Sequence, residues 1–285
     1  VAGILYICST PIGNLEDVTL RVLRILREVD VIVGEDSRRT RRLLAHYGIH
    51  TPFAPSLYQG VEAERVEGVL RLLREGKDVA LVSDAGTPLI SDPGYPLVRA
   101  CVREGIPVVP IPGPTAAVAA LVASGLPPDR FLFLGHLPRP IGPRRRVLEG
   151  LRDLDCTAVA YDSPHRIVAT LGILAELYPD RPVVVARELT KLHEEFVRGT
   201  AQEVHAALMA RGEVKGEVVV LIGSARPTPP STPEAVRDLY HGLLAQGLTP
   251  KEARAETARR LGVPRRTVYR GIHGPPPVEG DEALG

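Results

Sequence analysis

A chain of 285 residues with 44% hydrophobic content is long enough to bury the cores of two domains and a small addition, and no apolar run in it reaches the length of a membrane span. A formal net charge of +1 excludes a protein that attracts nucleic acid through its global field. Three scattered cysteines, Cys8, Cys101 and Cys156, exclude a disulfide framework or a cysteine metal motif and point to the reducing cytoplasm.

The amino end, VAGILYICSTPIGN, has no basic region and reads as a strand rather than a signal peptide. Ile4–Cys8 predicts that strand, and Ser9 to Asn14 turns the chain. Asp17 or Thr19 is placed to cap a helix whose apolar face carries Leu20, Leu23 and Val29. Val31–Val33 predicts a second strand, ending at Gly34 to Thr40, with helix resuming at Leu43-Leu44. Glu62–Glu75 is a further helix closed by Gly76. Val79–Val82 is a four-residue apolar run of the kind buried on both faces of a sheet. It stops at Ser83-Asp84-Ala85-Gly86-Thr87-Pro88, and a second turn cluster, Ser91-Asp92-Pro93-Gly94, follows at once. The two clusters leave no room for a helix between them and predict a compact, backbone-rich loop. A helix from Pro96 to Glu104, a strand at Val108–Ile111, the loop Pro112–Ala117 and a small-residue helix complete the amino half. Strand, loop and helix recur four times, the pattern of a parallel sheet covered by helices.

Ser124 to Pro128 is a candidate hinge. Strands at Phe131–Leu134, Thr157–Tyr161, Val183–Ala186 and Val218–Ile222 predict a second α/β unit. The expected organisation is two α/β domains at 1–123 and 124–225, a proline-rich linker at 226–233, a helical unit at 234–273 and a disordered Pro, Gly and acidic tail at 274–285. Within the helical unit, Thr249-Pro250 opens a helix with Ala253, Thr257, Ala258 and Leu261 on one face. Gly262 breaks it, and Pro264 to Ile272 carries Arg265, Arg266, Thr267, Tyr269 and Arg270 on a second. This is a helix-turn-helix pattern with basic residues opening the second helix.

The loops Thr10–Asn14, Glu35–Thr40, Ser83–Gly94 and Pro112–Ala116 follow strands of one parallel sheet and converge on one edge. Neither GxxxxGK[ST] nor a strand-linked GxGxxG is present. The loops offer backbone groups and short hydroxyls, which suit a ligand without pyrophosphate. S-adenosylmethionine is such a ligand.

TPIGNLEDVTLR, EDSRRTRRLL, SDAGTPLISDPG, PGPTA, YDSPHR and RELTKLHEEFVRG with KGEVVVLIG occur in that order. Together they resemble the methyltransferases of the tetrapyrrole-methylase fold, and more narrowly the members that methylate a cytidine 2′-oxygen in the decoding centre of 16S rRNA. The resemblance implies two α/β domains of the class III methyltransferase type, S-adenosylmethionine in the cleft between them and a homodimer. By position it implies cofactor contacts at Pro11, Asp84, Gly86, Thr87, Ile90, Thr115, Ala116, Tyr161 and Leu189. Within the loop after Val79–Val82 we read Asp84–Ile90 as the cofactor part and Ser91–Gly94 as shaping the turn. Thr87 departs from the tetrapyrrole-methylating relatives, which have Gly-Asp-Pro where this chain has Gly86-Thr87-Pro88. Asp84, three residues earlier, is the candidate replacement.

Transfer to a ribose hydroxyl needs alignment and an acceptor for the hydroxyl proton. Asp36, Glu188 and Lys191 are the candidate catalytic residues, with Glu35, Glu194 and Glu195 as further acids. Asp36 stands two residues before Arg38, where an acid can work while a guanidinium grips phosphate. Glu188, Lys191, Glu194 and Glu195 share a face only if their segment is a helix. Arg38, Arg39, Arg166, Arg265, Arg266 and Arg270 are the candidate RNA contacts, with His165 beside Arg166. Arg139, Arg144, Arg145 and Arg146 form another basic cluster. The expected partner is 16S rRNA in the small ribosomal subunit, with no metal site and no membrane. A small-molecule methyltransferase acting on a porphyrin-like ring, and a non-enzymatic nucleic-acid regulator using the helical unit, are the alternatives.

Overall fold

The computed structural model describes residues 2–34, 37–53, 62–225, 233–261, 263 and 265–273. Four short strands make the first sheet: β1 (Leu5–Cys8), β2 (Val31–Gly34), β3 (Val79–Val82) and β4 (Val108–Ile111). They lie in the order β2-β3-β1-β4, all parallel. β3 is buried at every position, as its unbroken apolar run requires of an inner strand. Helices α1 (Leu20–Glu28), α2 (Ser37–His46), α3 (Glu62–Arg74), α4 (Tyr95–Glu104) and α5 (Ala116–Ser124) alternate with these strands. Val22, Ile25 and Leu26 of α1 pack with Cys8, Ile32 and Val82 on one face. Leu70, Leu73, Leu97 and Cys101 of α3 and α4 pack with Leu5, Val33 and Leu81 on the other. Burial pushes the Cys8 thiol up to about 12 and the Cys101 thiol up to about 11, so both serve as small core residues.

Two local expectations are corrected. Thr19, not Asp17, caps α1: its hydroxyl accepts from the Val22 amide at 3.2 Å, while Asp17 ends a single 3-10 turn, Leu15–Asp17, capped by Asn14. Leu20 is 86% exposed rather than part of the apolar face. It stands two residues before Val22, about 200° around the helix, and so points away from the sheet.

The second sheet contains β5 (Phe131–His136), β6 (Thr157–Asp162), β7 (Pro182–Arg187), β8 (Glu195–Thr200) and β9 (Val218–Ile222), in the order β5-β6-β9-β7-β8. Only β5 and β6 are parallel; the other pairs are antiparallel. Helices α6 (Ile141–Glu149), α7 (Ile167–Leu177) and α8 (Ala201–Arg211) cover one face through Leu148, Leu171, Leu174 and Leu208. The other face is covered by α5, whose Ala117, Ala120 and Leu121 pack on Val159, Val184, Val219 and Leu221. α5 closes the amino half in sequence yet belongs to the second sheet's core, and its small side chains permit that close approach. β8 was not expected. Glu188 to Glu194 is a turn and Glu195 opens β8, so the helical spacing of these charged residues carries no shared face.

The described residues up to Ala225 form one compact unit and those from Pro233 onward another. In the second, α9 (Pro233–Ala245), α10 (Pro250–Leu261) and α11 (Arg265–His273) pack around Val236, Leu243, Ala253, Leu261 and Val268. Thr249 and Glu252 cap α10 reciprocally. The linker at 226–232, Gly262, Pro264 and the tail at 274–285 lie outside the described residues. Among the described residues no helix is long and apolar enough to cross a membrane.

Candidate active site

β1, β3 and β4 end on one edge of the parallel sheet, and the loops that leave them are laced together. Thr10 and Gly86 form an isolated antiparallel bridge, with amide-to-carbonyl distances of 2.8 and 3.0 Å. The Thr10 hydroxyl donates to the Ser83 carbonyl at 3.0 Å, and the Ser83 hydroxyl to the Gly86 carbonyl at 2.9 Å. Thr87 donates its hydroxyl to the Pro114 carbonyl at 3.1 Å. Its oxygen is then left to accept from the Ser9 hydroxyl 3.0 Å away. Thr87 thus joins three loops through its short side chain.

A cavity of about 290 Å³ opens at this edge and is closed on the far side by the second sheet. Asp84, Gly86, Thr87, Ile90, Thr115, Ala116, Tyr161 and Leu189 line it. Pro11 does not; it is buried, and the neighbouring Ile12 reaches the cavity instead. Arg39 lines the rim, its Nε 3.9 Å from Asp84 Oδ2. Sequence reasoning missed Ser91, Asp92, His136, Asp162 and the run Gly216–Val219, all of which line the cavity. Ser91 and Asp92, read as shaping a turn, also face the cavity. The second turn cluster's own polar residues were the available signal for them. KGEVVVLIG counts toward the family resemblance, but nothing local in it marks Gly216–Val219 as cavity lining; the run leads into β9, an inner strand.

The second sheet contributes three groups at the ends of its strands. The Tyr161 hydroxyl accepts from the Ala117 amide at 3.3 Å, capping α5, whose N-cap Thr115 makes no side-chain cap bond. Asp162 accepts from the Ser163 amide at 2.7 Å and from the Thr170 hydroxyl at 2.6 Å, and pairs with Arg166 at 3.2 Å. Thr170 in turn accepts from Arg144 at 3.3 Å. Arg144 is only 4% exposed, and Arg145 is held by Glu149 and Glu176. Half of the expected basic cluster at 139–146 is therefore internal or paired. His136 is aimed by a bulge: pairing steps from Phe133–Val159 to His136–Tyr161 with one extra residue, and Gly135 takes φ +65°. Its ring lies 5.3 Å from that of Tyr161. Burial, then the Arg166 charge, push the imidazole below its ordinary value, against the pull of Asp162.

Glu188 and Lys191 lie beside the cavity and do not line it. Glu188 accepts from Lys191 Nζ at 2.9 Å and from the Glu217 amide at 3.0 Å, and Lys191 also reaches Glu217 at 3.1 Å. The Lys191 bond and then the Glu217 amide hold Glu188 below the usual carboxylate range. Burial works against the Lys191 charge, but its two carboxylate partners outweigh it and raise its pKa. The pair is a fixed cation and a fixed anion. The turn is strapped to the first half by the Asn14 amide, which donates to Thr190 Oγ1 at 3.0 Å. Among the described residues the non-glycine positions with positive φ are Leu89, Ser91, Glu188 and Thr190. All four lie in the two loops flanking the cavity, a concentration of backbone strain typical of a ligand site. Asp36 and Glu35 lie outside the described residues. Arg38 is exposed on α2, and Arg265, Arg266 and Arg270 are exposed on α11.

A cavity at the carboxyl edge of a parallel sheet, walled by a second sheet and without a phosphate cradle, defines a class. The profile of the Tetrapyrrole (Corrin/Porphyrin) Methylases matches residues 4–205, and the chain belongs to this family, which makes it an S-adenosylmethionine-dependent methyltransferase. More particularly, it is 45% identical over 270 residues to a ribosomal RNA small subunit methyltransferase I of Synechocystis sp., covering 94% of this chain and 96% of that one. The protein of the same name from Thermotoga maritima is 47% identical over 220 residues, covering 77% of this chain and 98% of that one. Among solved structures, the methyltransferase CobJ superposes with a TM-score of 0.60 at 24% identity, over 79% of this chain and 95% of that one, a likeness of fold.

Proposed function

We propose that this chain methylates the 2′-oxygen of a cytidine ribose in the decoding centre of 16S rRNA, on the small ribosomal subunit, and works in the cytoplasm as a homodimer. The observation that carries this reading is the 45% identity to a ribosomal RNA small subunit methyltransferase I along 94% of the chain. The cavity fits the cofactor. Ile12, Ile90, Leu189, Val219 and the Tyr161 ring offer apolar walls for an adenosyl group, Asp84 and Asp92 suit its cationic groups, and the amino end of α5 suits its carboxylate. Pro11, Gly86, Thr87, Thr115 and Ala116 set the backbone around it. Once bound, S-adenosylmethionine supplies an electrophilic methyl group on a sulfonium.

The chain's own residues must seat the ribose and accept its proton. Asp36 is the proton acceptor in this reading, because Glu188 is held ionised by two donors and is a weak base. Lys191, kept charged by Glu188 and Glu217, orients the acceptor, and Arg38, Arg39 and Arg166 hold phosphates on that side. Arg265, Arg266 and Arg270 bind RNA from the helical unit. The homodimer is supported by Phe131 and Leu132 on the edge strand β5, which are 42% and 40% exposed, and by exposed Val118 and Val122 on α5. Small subunits lacking the modification, incubated with the protein and methyl-labelled cofactor, are expected to gain label on one cytidine ribose. Label on a porphyrin-like acceptor and none on the subunit would overturn the assignment.

A further inference from the structure

The outer face of α11 carries Arg265, Arg266, Tyr269, Arg270 and His273, all exposed. At 100° per residue these five fall within about 140° of the helix circumference. The opposite side is spent on packing: Val268 is buried, and Gly271 lies so close to α9 that a Cβ would stand 2.7 Å from Val236. The exposed face is thus set by the fold of the helical unit. Tyr269 is 56% exposed, and its ring centroid lies 4.4 Å from that of His273.

We propose that this face docks single-stranded RNA, with an unstacked base on Tyr269 and the flanking phosphates on Arg265, Arg266 and Arg270. The proposal rests on the RNA reading above and names the form of RNA the helical unit takes. Two observations carry it. On α10, Arg259 and Arg260 close on Glu256 of their own helix. α11 has no acidic residue, and no carboxylate among the described residues pairs with Arg265, Arg266 or Arg270. Its positive face has the charge to take a polyanion. An aromatic ring exposed in the middle of that face is of little use against duplex RNA, whose deep, narrow major groove admits no helix. It is well suited to a splayed base, because every base has a face to stack and arginine adds a cation–π contribution.

The test uses the full-length protein and three fluorescein-labelled probes: a short unpaired RNA, the same RNA annealed to its complement, and a DNA duplex of that sequence. The unpaired RNA is expected to bind tightest. Tyr269→Leu should weaken it about tenfold or more, and Tyr269→Phe should retain it. Arg266→Ala should weaken binding to all three probes and reduce the salt slope by about one. An unchanged melting temperature for Tyr269→Leu checks that the exposed ring bears no folding load. Unpaired-RNA binding that survives Tyr269→Leu, or tighter binding to the DNA duplex, would overturn the proposal. Methylation of small subunits is scored separately. If no RNA is methylated but Tyr269→Leu still loses the unpaired RNA, the reaction assignment falls and this surface stands. If methylation proceeds and Tyr269→Leu binds like wild type, the surface falls alone.

Discussion

Two glycines grip the turn beside the cavity. A Cβ at Gly13 would stand 2.6 Å from Lys191 Cγ, and one at Gly216 would overlap the Glu188 carboxylate. Gly216 also takes φ +89°, where a side chain is strained whatever the space. Gly216→Ala should therefore displace Glu188, loosen the knot with Lys191 and Glu217, and cost about 2 kcal/mol or more, read by urea unfolding. Gly142→Ala is the control. Nothing lies within 4 Å of its Cβ position, it sits in the first turn of α6, and the change should be neutral or stabilising by up to about 1 kcal/mol. The cavity's short side chains were legible as residue types, because Ser, Thr, Asp and Gly after a strand mean a loop with backbone to offer. The role of Thr87 was not legible, since a hydroxyl facing ligand and one clasping Pro114 and Ser9 read alike in sequence.

At the scale of elements, the parallel sheet could be read from apolar runs such as Val79–Val82, since strands buried on both faces leave that mark. The second sheet was read only in part. Val183–Ala186 and Val218–Ile222 declare buried strands, but β-branched runs say nothing of direction, so antiparallel β7 and β9 looked like more of the first pattern. β8 escaped altogether: EFVRGT is an edge strand with no fully buried position and the look of a loop. The junction of α5 with the second sheet is likewise a tertiary fact. Tyr161 caps α5 from 44 residues away in sequence. Tyr161→Phe removes that acceptor while keeping the ring, and should lower stability by about 1 kcal/mol. Loss of cofactor affinity beyond that expected from stability would show by calorimetry that the hydroxyl also serves the ligand.

On the scale of the whole molecule, the chain is two units of unequal size. The Thermotoga maritima relative is matched over 98% of its length within 77% of this chain, so it is the shorter protein. A chain ending at Ala225 should accordingly fold and bind S-adenosylmethionine as the full chain does, by calorimetry, while its affinity for RNA falls and loses much of its salt dependence. Insolubility of that shorter chain, or unchanged RNA affinity, would argue against the division of labour. The packing of α5 also has a consequence for how the protein is made. Leu121 and Leu221 share one buried cluster, and about 100 residues separate them, roughly 5–20 s of translation at bacterial to eukaryotic rates. Through that interval the nascent amino half carries an apolar helix whose covering sheet has not yet been made. Its safe passage then depends on elongation speed and on whatever shields a growing polypeptide at the tunnel exit.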